Sequence, residues 1–117
     1  MTSSELLTYC MGKPGAEQSV ENQRGANQVK VGDAMFAMVC DVGGREAISL
    51  KTSPELAEQL RAKHPEIVPG DHLNKAHWNT VYLDGALLDS QFYYLIDGSY
   101  QLVVSGLPEA VRHDLGL

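Results

Sequence analysis

A chain of 117 residues, 44% hydrophobic and 21% charged, has the size and composition of one globular domain, which excludes a disordered tail and leaves little room for two cores. Fifteen acidic side chains against nine basic ones give a formal charge of −6, which argues against tight nonspecific binding to nucleic acid. No stretch approaches the roughly 20 apolar residues that cross a bilayer, and the opening MTSSELLTYCMGK lacks the basic start and apolar run of a signal peptide, so a soluble cytoplasmic protein without membrane contact is expected.

Thr2-x-x-Glu5 reads as a capping box, and Leu6, Leu7, Cys10 and Met11 follow at helical spacing until Gly12 and Pro14 stop the run. From Glu17 the pattern changes to short alternating segments, Gln18 to Asn22, Gln28 to Val31, Ala34 to Cys40 and Glu46 to Lys51. They are separated by Arg24-Gly25-Ala26-Asn27, Gly32-Asp33 and Asp41-Val42-Gly43-Gly44-Arg45, which tolerate positive φ and predict successive hairpins. Thr52-Ser53-Pro54-Glu55 then opens a second helix, with Leu56 and Leu60 on its buried stripe, ending near His64 before Pro65. His77 to Leu83 reads as a strand closed by the Asp84-Gly85 turn. Asp89 is the expected cap of a third helix whose stripe is Phe92, Leu95, Ile96, Tyr100 and Val103, and Pro108 starts a short last helix after Gly106. The predicted fold is α+β, an antiparallel β-meander sheet covered by helices in the order α-β-β-β-β-α-β-α-α, in one domain over residues 1–117.

The segment HLNKAHWNTV, residues 72–81, gathers the most chemically capable side chains. A metal site would use His72 and His77, with Asp71, but ligands five apart in an extended segment point to opposite faces and no second cluster supports them, so no metal is expected. Elbows for a nucleophilic serine and glycine-rich phosphate loops are absent from the sequence, so neither catalytic residues nor a cofactor are expected. Cys10 and Cys40 form no C-x-x-C pair and are expected to be reduced, half-buried thiols. On a strand, Trp78, Thr80 and Tyr82 share one face and His77, Asn79, Val81 and Leu83 the other, which predicts cover on both sides, with Trp78 packed under a helix as an anchor.

The hairpins give the more physical lead. The first turn, with Arg24, and the third, with Arg45, must lie at one end of the meander because the second turn lies at the other. Alternation that places Val29, Val31, Ile48 and Leu50 inward leaves Gln28, Lys30, Ser49 and Lys51 on a polar, modestly basic outer face. Eight of the nine basic residues fall between Lys13 and Lys75, whereas residues 76–117 hold five acids and only Arg112.

HLNKAHWNTVYLDG, FAMVCDVGGREAISLKTSPELAEQLR and LLTYCMGKPGAEQSV closely resemble the MmcQ/YjbR family of small bacterial proteins, over essentially the whole chain. The resemblance implies a CyaY-like fold and a DNA-binding role through a double wing of β-hairpins. Carried over by position, it nominates Lys51, Lys75, His77, Trp78, Asn79 and Thr80, to which the turn argument adds Arg24 and Arg45 and the face argument Lys30. The expectation is therefore a monomeric, non-enzymatic DNA-binding protein. The alternative is a protein-interaction or small-ligand module with no nucleic-acid role, meeting a basic partner through its acidic C-terminal third.

Overall fold

The capping box forms at α1 (Ser3–Met11), where Thr2 Oγ1 accepts from the Glu5 N–H at 3.1 Å and Glu5 Oε1 accepts from the Thr2 N–H at 3.3 Å. The protein's structure, a computed structural model, describes residues 1–21, 26–70 and 73–117, and the side chains of all of these except 20 and 21. The meander follows as β1 (Ala16–Glu21), β2 (Ala26–Val31), β3 (Ala34–Val42) and β4 (Arg45–Lys51). After α2 (Pro54–Lys63) come β5 (Ile67–Pro69), β6 (Trp78–Tyr82), α3 (Asp89–Ser105) and α4 (Glu109–Leu115). The strands form one six-stranded antiparallel sheet in the order β1-β2-β3-β4-β6-β5. The α+β class and the helix–sheet layering expected from the sequence are therefore present. None of the helices is long and apolar enough to cross a membrane, among the described residues.

Turn chemistry sets the hairpins. Gly43 and Gly44, at φ 59° and 85°, make the tight β3–β4 turn, and Asp41 Oδ1 accepts the Gly44 N–H at 2.8 Å. Gly32 does two jobs at the β2–β3 turn: its φ is 56°, and a Cβ there would stand 2.9 Å from Leu107 Cδ1 and Val111 Cγ1 of the C-terminal segment.

Period-two alternation divides the sheet into two faces. Val29, Val31, Ala37, Val39, Ile48, Leu50 and Val81 point toward the helices and share a core with Leu6 and Cys10 of α1 and with Phe92, Leu95, Ile96, Tyr100 and Val103 of α3. The sequence-predicted stripe of α3 is thus its buried one. At Val29/Lys30 the register with β3 shifts, Val29 pairing with Ala37 and Lys30 with Met35, so Phe36 is the extra residue of a bulge. The bulge turns Phe36 inward beside Ala37. Its carbonyl accepts from Ser99 Oγ of α3 at 2.6 Å, and the Ser99 hydroxyl oxygen in turn accepts the Lys51 N–H at 2.9 Å. One fully buried hydroxyl thereby joins α3 to two strands.

Several details differ from the sequence reading: Cys10, expected half-buried, is fully buried in the core, and the buried residue of α2 is Ala57, with Leu56 and Leu60 only half-buried. β5 was not predicted, because three residues between Pro65 and Pro69-Gly70 look like a helix terminator; it adds an edge strand beside β6. Leu88, not Asp89, is the N-cap of α3, and Asp89 is its first residue. Trp78 does not pack under a helix. Its cross-strand partner is Lys51, its neighbours Asn79 and Val81 face the helices, and it lies outside the core cluster although only 8% exposed.

Ser99→Ala is expected to destabilise the fold by about 1–3 kcal/mol in urea melts, because it strips the buried Phe36 carbonyl of its donor while removing little volume.

Candidate functional site

The face turned away from the helices is the candidate surface. Register places Ser19, Gln28, Met38, Ser49, Thr80 and Val68 in one row across all six strands. Lys51 and Trp78 form a second row toward one end of the sheet, and Cys40, Ala47 and Tyr82 a third toward the other. Met38, Ala47 and Trp78 are buried hydrophobics that take no part in the helix-side core. Ser49 and Thr80, small and shielded between Met38, Trp78 and Tyr82, share a hydroxyl hydrogen bond of 2.9 Å.

The structure distributes the sequence-predicted residues over both ends and both faces of the sheet. Arg45 stands at the β3–β4 turn, where β1–β2 also closes, so both hairpins emerge from the same end. Arg24 lies outside the described residues, as do Asp71 and His72. Lys30, opposite Glu17 and Met35, and Lys51 lie near the other end of the outer face. Lys51 lies six positions beyond Arg45 along β4, or about 20 Å at 3.3 Å per step. Lys75 is exposed in the turn before β6, a turn fixed by Asn74, whose Oδ1 accepts the Ala76 N–H and whose carbonyl accepts the Trp78 N–H. His77 is half-buried, and its carbonyl accepts the Thr52 N–H at 2.8 Å.

Asn79 and Thr80 are 2% exposed and carry structure. Asn79 faces the helices and donates to the Ala57 carbonyl of α2 at 3.1 Å, a tie from β6 to α2 that a ligand on the outer face does not reach. Thr80 is held by Ser49 beneath its larger neighbours. Of the HWNTV segment, Trp78 alone lies on the outer face at the basic end.

Arg45 meets a partner the sequence did not reveal. Its Nε and Nη2 donate to Asp84 Oδ2 and Oδ1 at 2.8 and 2.6 Å, and the guanidinium lies 3.7 Å from the centre of the Tyr82 ring. The hydrogen bonds hold the Arg45 pKa above and the Asp84 pKa below their ordinary values. Both groups are about half exposed, and such a pair in water is worth little.

A second polar cluster, also unread in the sequence, joins α1 to α3. Tyr9 Oη donates to Asp97 Oδ1 at 2.7 Å, Lys13 pairs with the same carboxylate, and the Lys13 ammonium sits 4.9 Å from the Tyr9 ring centre. Burial works against the charged form of Asp97, but the bonds from Lys13 and Tyr9 outweigh it and hold its pKa below the usual aspartate value. Partners 88 residues apart leave no local signal. Burial pushes the nearby Cys10 thiol up to about 12, so it is no thiolate at neutral pH. Among the described residues no three His, Cys, Asp or Glu side chains are grouped to hold a metal ion.

Comparison with known proteins gives the chain its relatives. A family model described as YjbR matches residues 11–102. The chain is 65% identical over 112 residues to the uncharacterized protein YjbR of Escherichia coli K12, covering 96% of this chain and 95% of that protein. It is 35% identical over 78 residues to the uncharacterized protein YbdF of Escherichia coli O157:H7, covering 67% and 64%. The crystal structure of Deinococcus radiodurans protein DR2400, with a DUF419 domain, superposes with a TM-score of 0.89 at 37% identity over 99% of this chain and 88% of that one. A Pseudomonas syringae crystal structure gives a TM-score of 0.78 at 28% identity over 87% and 98%.

A depressed Asp97 pKa fixes a sign. The group stabilises the fold at pH above its unfolded value of about 3.9, and that stability is lost as pH falls through the lower folded value. Asp97→Asn is expected to flatten the decline in unfolding free energy between about pH 5 and pH 2 relative to the parent chain, measured by urea titration at each pH.

Proposed function

This chain belongs to the YjbR family, and on that premise we propose that it is a non-enzymatic cytoplasmic DNA-binding domain of modest affinity, working through the outer face of its sheet. The observation that carries the reading is the separation of charge between layers. Helices α1 to α4 hold seven acids (Glu5, Glu55, Glu58, Asp89, Asp97, Glu109 and Asp114) against Arg61, Lys63 and Arg112. On the outer face Lys30, Lys51 and Arg45, with Lys75 beside them, stand against Glu17 and Asp84 and against Glu21, which register places at the end of the same face of β1. A chain that is negative overall therefore turns three of its five lysines, Lys30, Lys51 and Lys75, toward the side its helices leave uncovered.

In this reading Lys30, Lys51 and Lys75 contact phosphates at one end, and Arg45 exchanges Asp84 for a phosphate at the other. The exchange is feasible because an exposed ion pair contributes only about 0–1 kcal/mol. The spacing of about 20 Å corresponds to about six base pairs at 3.4 Å each. Such contacts position the protein; sequence discrimination would need other groups at base edges. Trp78 supplies shape at the basic end.

A specific observation favours a second reading. The half-buried Met35 and Tyr82, backed by the buried Met38 and Trp78, give the same face an apolar, aromatic character suited to a protein partner, and Arg45 is already neutralised. A partner retained on immobilised protein from nuclease-treated lysate, and lost in Met35→Lys with the thermal melt unchanged, would favour it.

Titration of labelled duplex at several salt concentrations decides. Micromolar binding is expected, with a log–log salt slope no steeper than about −4, from three or four phosphates at about −0.9 each. Lys51→Glu/Lys75→Glu is expected to weaken it about tenfold or more, and Asp84→Asn to strengthen it severalfold by releasing Arg45. No binding at low salt overturns the proposal.

A further inference from the structure

The helical layer leaves one apolar surface uncovered. Leu88, Tyr94 and Leu102 are 66%, 72% and 38% exposed, and helical spacing sets Tyr94 and Leu102 of α3 in one stripe with Gln91, Gly98 and Ser105. Two adjoining clefts of about 160 and 250 Å³ run beside the stripe, between α3 and α2, walled by Leu56, Leu60, Leu87 and Leu95. Each is at least as large as the roughly 150 Å³ that admits a benzene ring. Exposed apolar side chains beside an open apolar cleft mark a surface that meets another molecule.

Charge and symmetry indicate which molecule. The stripe carries no charged side chain: the acids of α3, Asp89 and Asp97, lie off it, with Asp97 turned onto Tyr9 and Lys13. No aspartate, glutamate or arginine lines either cleft, and register turns the Lys51 side chain to the opposite face of the sheet. In a chain of formal charge −6, two copies meeting here place no like charges at the centre of contact. The stripe is also self-complementary. Two α3 helices crossing antiparallel about Gly98 set Tyr94 of each over Leu102 of the other and Gln91 opposite Ser105, because both pairs are centred on position 98. Gly98 itself is exposed inside a helix, where glycine is disfavoured, and a Cβ built there meets no atom within 4 Å, so no neighbour in the chain requires glycine. A second helix crossing at that point does, because the side chains at the contact set how closely two helix axes approach.

We propose that the α2–α3 surface pairs with a second copy of this chain across a two-fold axis at Gly98, each Tyr94 ring seated in the cleft that Leu102 borders in the other copy. The stripe from Gln91 to Ser105 is about 21 Å long at 1.5 Å per residue, and two helices each about 10 Å across make a patch on the order of 400 Å². That is below the roughly 800 Å² per partner of a standard interface, so the dimer is a weak one with a Kd on the order of 100 µM. The monomer expected from the sequence is then the dilute state. Both outer sheet faces point away from the contact, so the pairing does not depend on the DNA reading.

The test is sedimentation equilibrium of the whole protein, without DNA, from about 5 µM to about 1 mM. The weight-average mass is expected to rise with concentration from 12.8 kDa toward twice that value. Tyr94→Lys and Gly98→Leu should each weaken association by about tenfold or more, the first by setting like charges across the axis and the second by holding the helices apart. Thermal melts followed by circular dichroism should leave Tyr94→Lys unchanged and Gly98→Leu at or above the parent, which separates a lost contact from a lost fold. A mass that stays at 12.8 kDa across the whole range overturns the proposal and leaves the surface to a different kind of partner. So does a dimer that either substitution leaves intact, above all one that Met35→Lys dissociates, because the contact would then lie on the outer sheet face.

Discussion

All other features depend on one geometric constraint: side chains alternate across six antiparallel strands, while the helices pack on only one of the two faces. The inward set, from Val29 to Val81, is apolar because it meets α1 and α3. The outward set mixes lysines, hydroxyls, glutamine, methionine and aromatics because it lies outside the core formed with the helices. The Phe36 bulge adjusts this pattern at one point, bringing a large ring into the core and leaving a carbonyl that Ser99 satisfies. Ser99 in turn locks α3 against β3 and β4, so the helix that closes the core and forms one wall of the cleft is positioned by strand irregularity.

The division of faces is also a division of charge. A formal −6 describes the whole molecule, but an incoming ligand responds to the field of the surface it approaches, screened within about 10 Å at ordinary salt. The helical layer carries most of the excess acid, whereas the outer sheet face is close to neutral or positive. Asp84 tempers this at the hairpin end, where it holds the Arg45 guanidinium 3.7 Å from the centre of the Tyr82 ring. That end is therefore a guarded cation, and the lysine end is the more accessible one.

Much of the fold was legible because its signals are local. Thr2 and Glu5 announce α1, Ser53 and Pro54 announce α2, glycine pairs mark hairpins, and the stripe from Phe92 to Val103 marks the buried side of α3. The outer face could be read as Gln28, Lys30, Ser49 and Lys51, and the later register put Trp78, Thr80 and Tyr82 beside them. Less of the site was legible. Nothing near Arg45 in the sequence signals Asp84, 39 residues on, and nothing near Tyr9 signals Asp97. Asn79 looked as available as Trp78 in HWNTV, yet strand parity sends it inward to Ala57. β5 is too short, and too close to two prolines, to show its own periodicity.

The central claim is that the uncovered sheet face, and not the helical layer, meets the macromolecular ligand. Backbone amide NMR spectra of the labelled protein, recorded while a short DNA duplex is added at low salt, test it most directly. Shifts concentrated at Gln28, Lys30, Lys51, Lys75 and Trp78, with α3 and α4 unmoved, are the expected result. Shifts confined to the helices, or none at duplex concentrations well into the millimolar range, would contradict it.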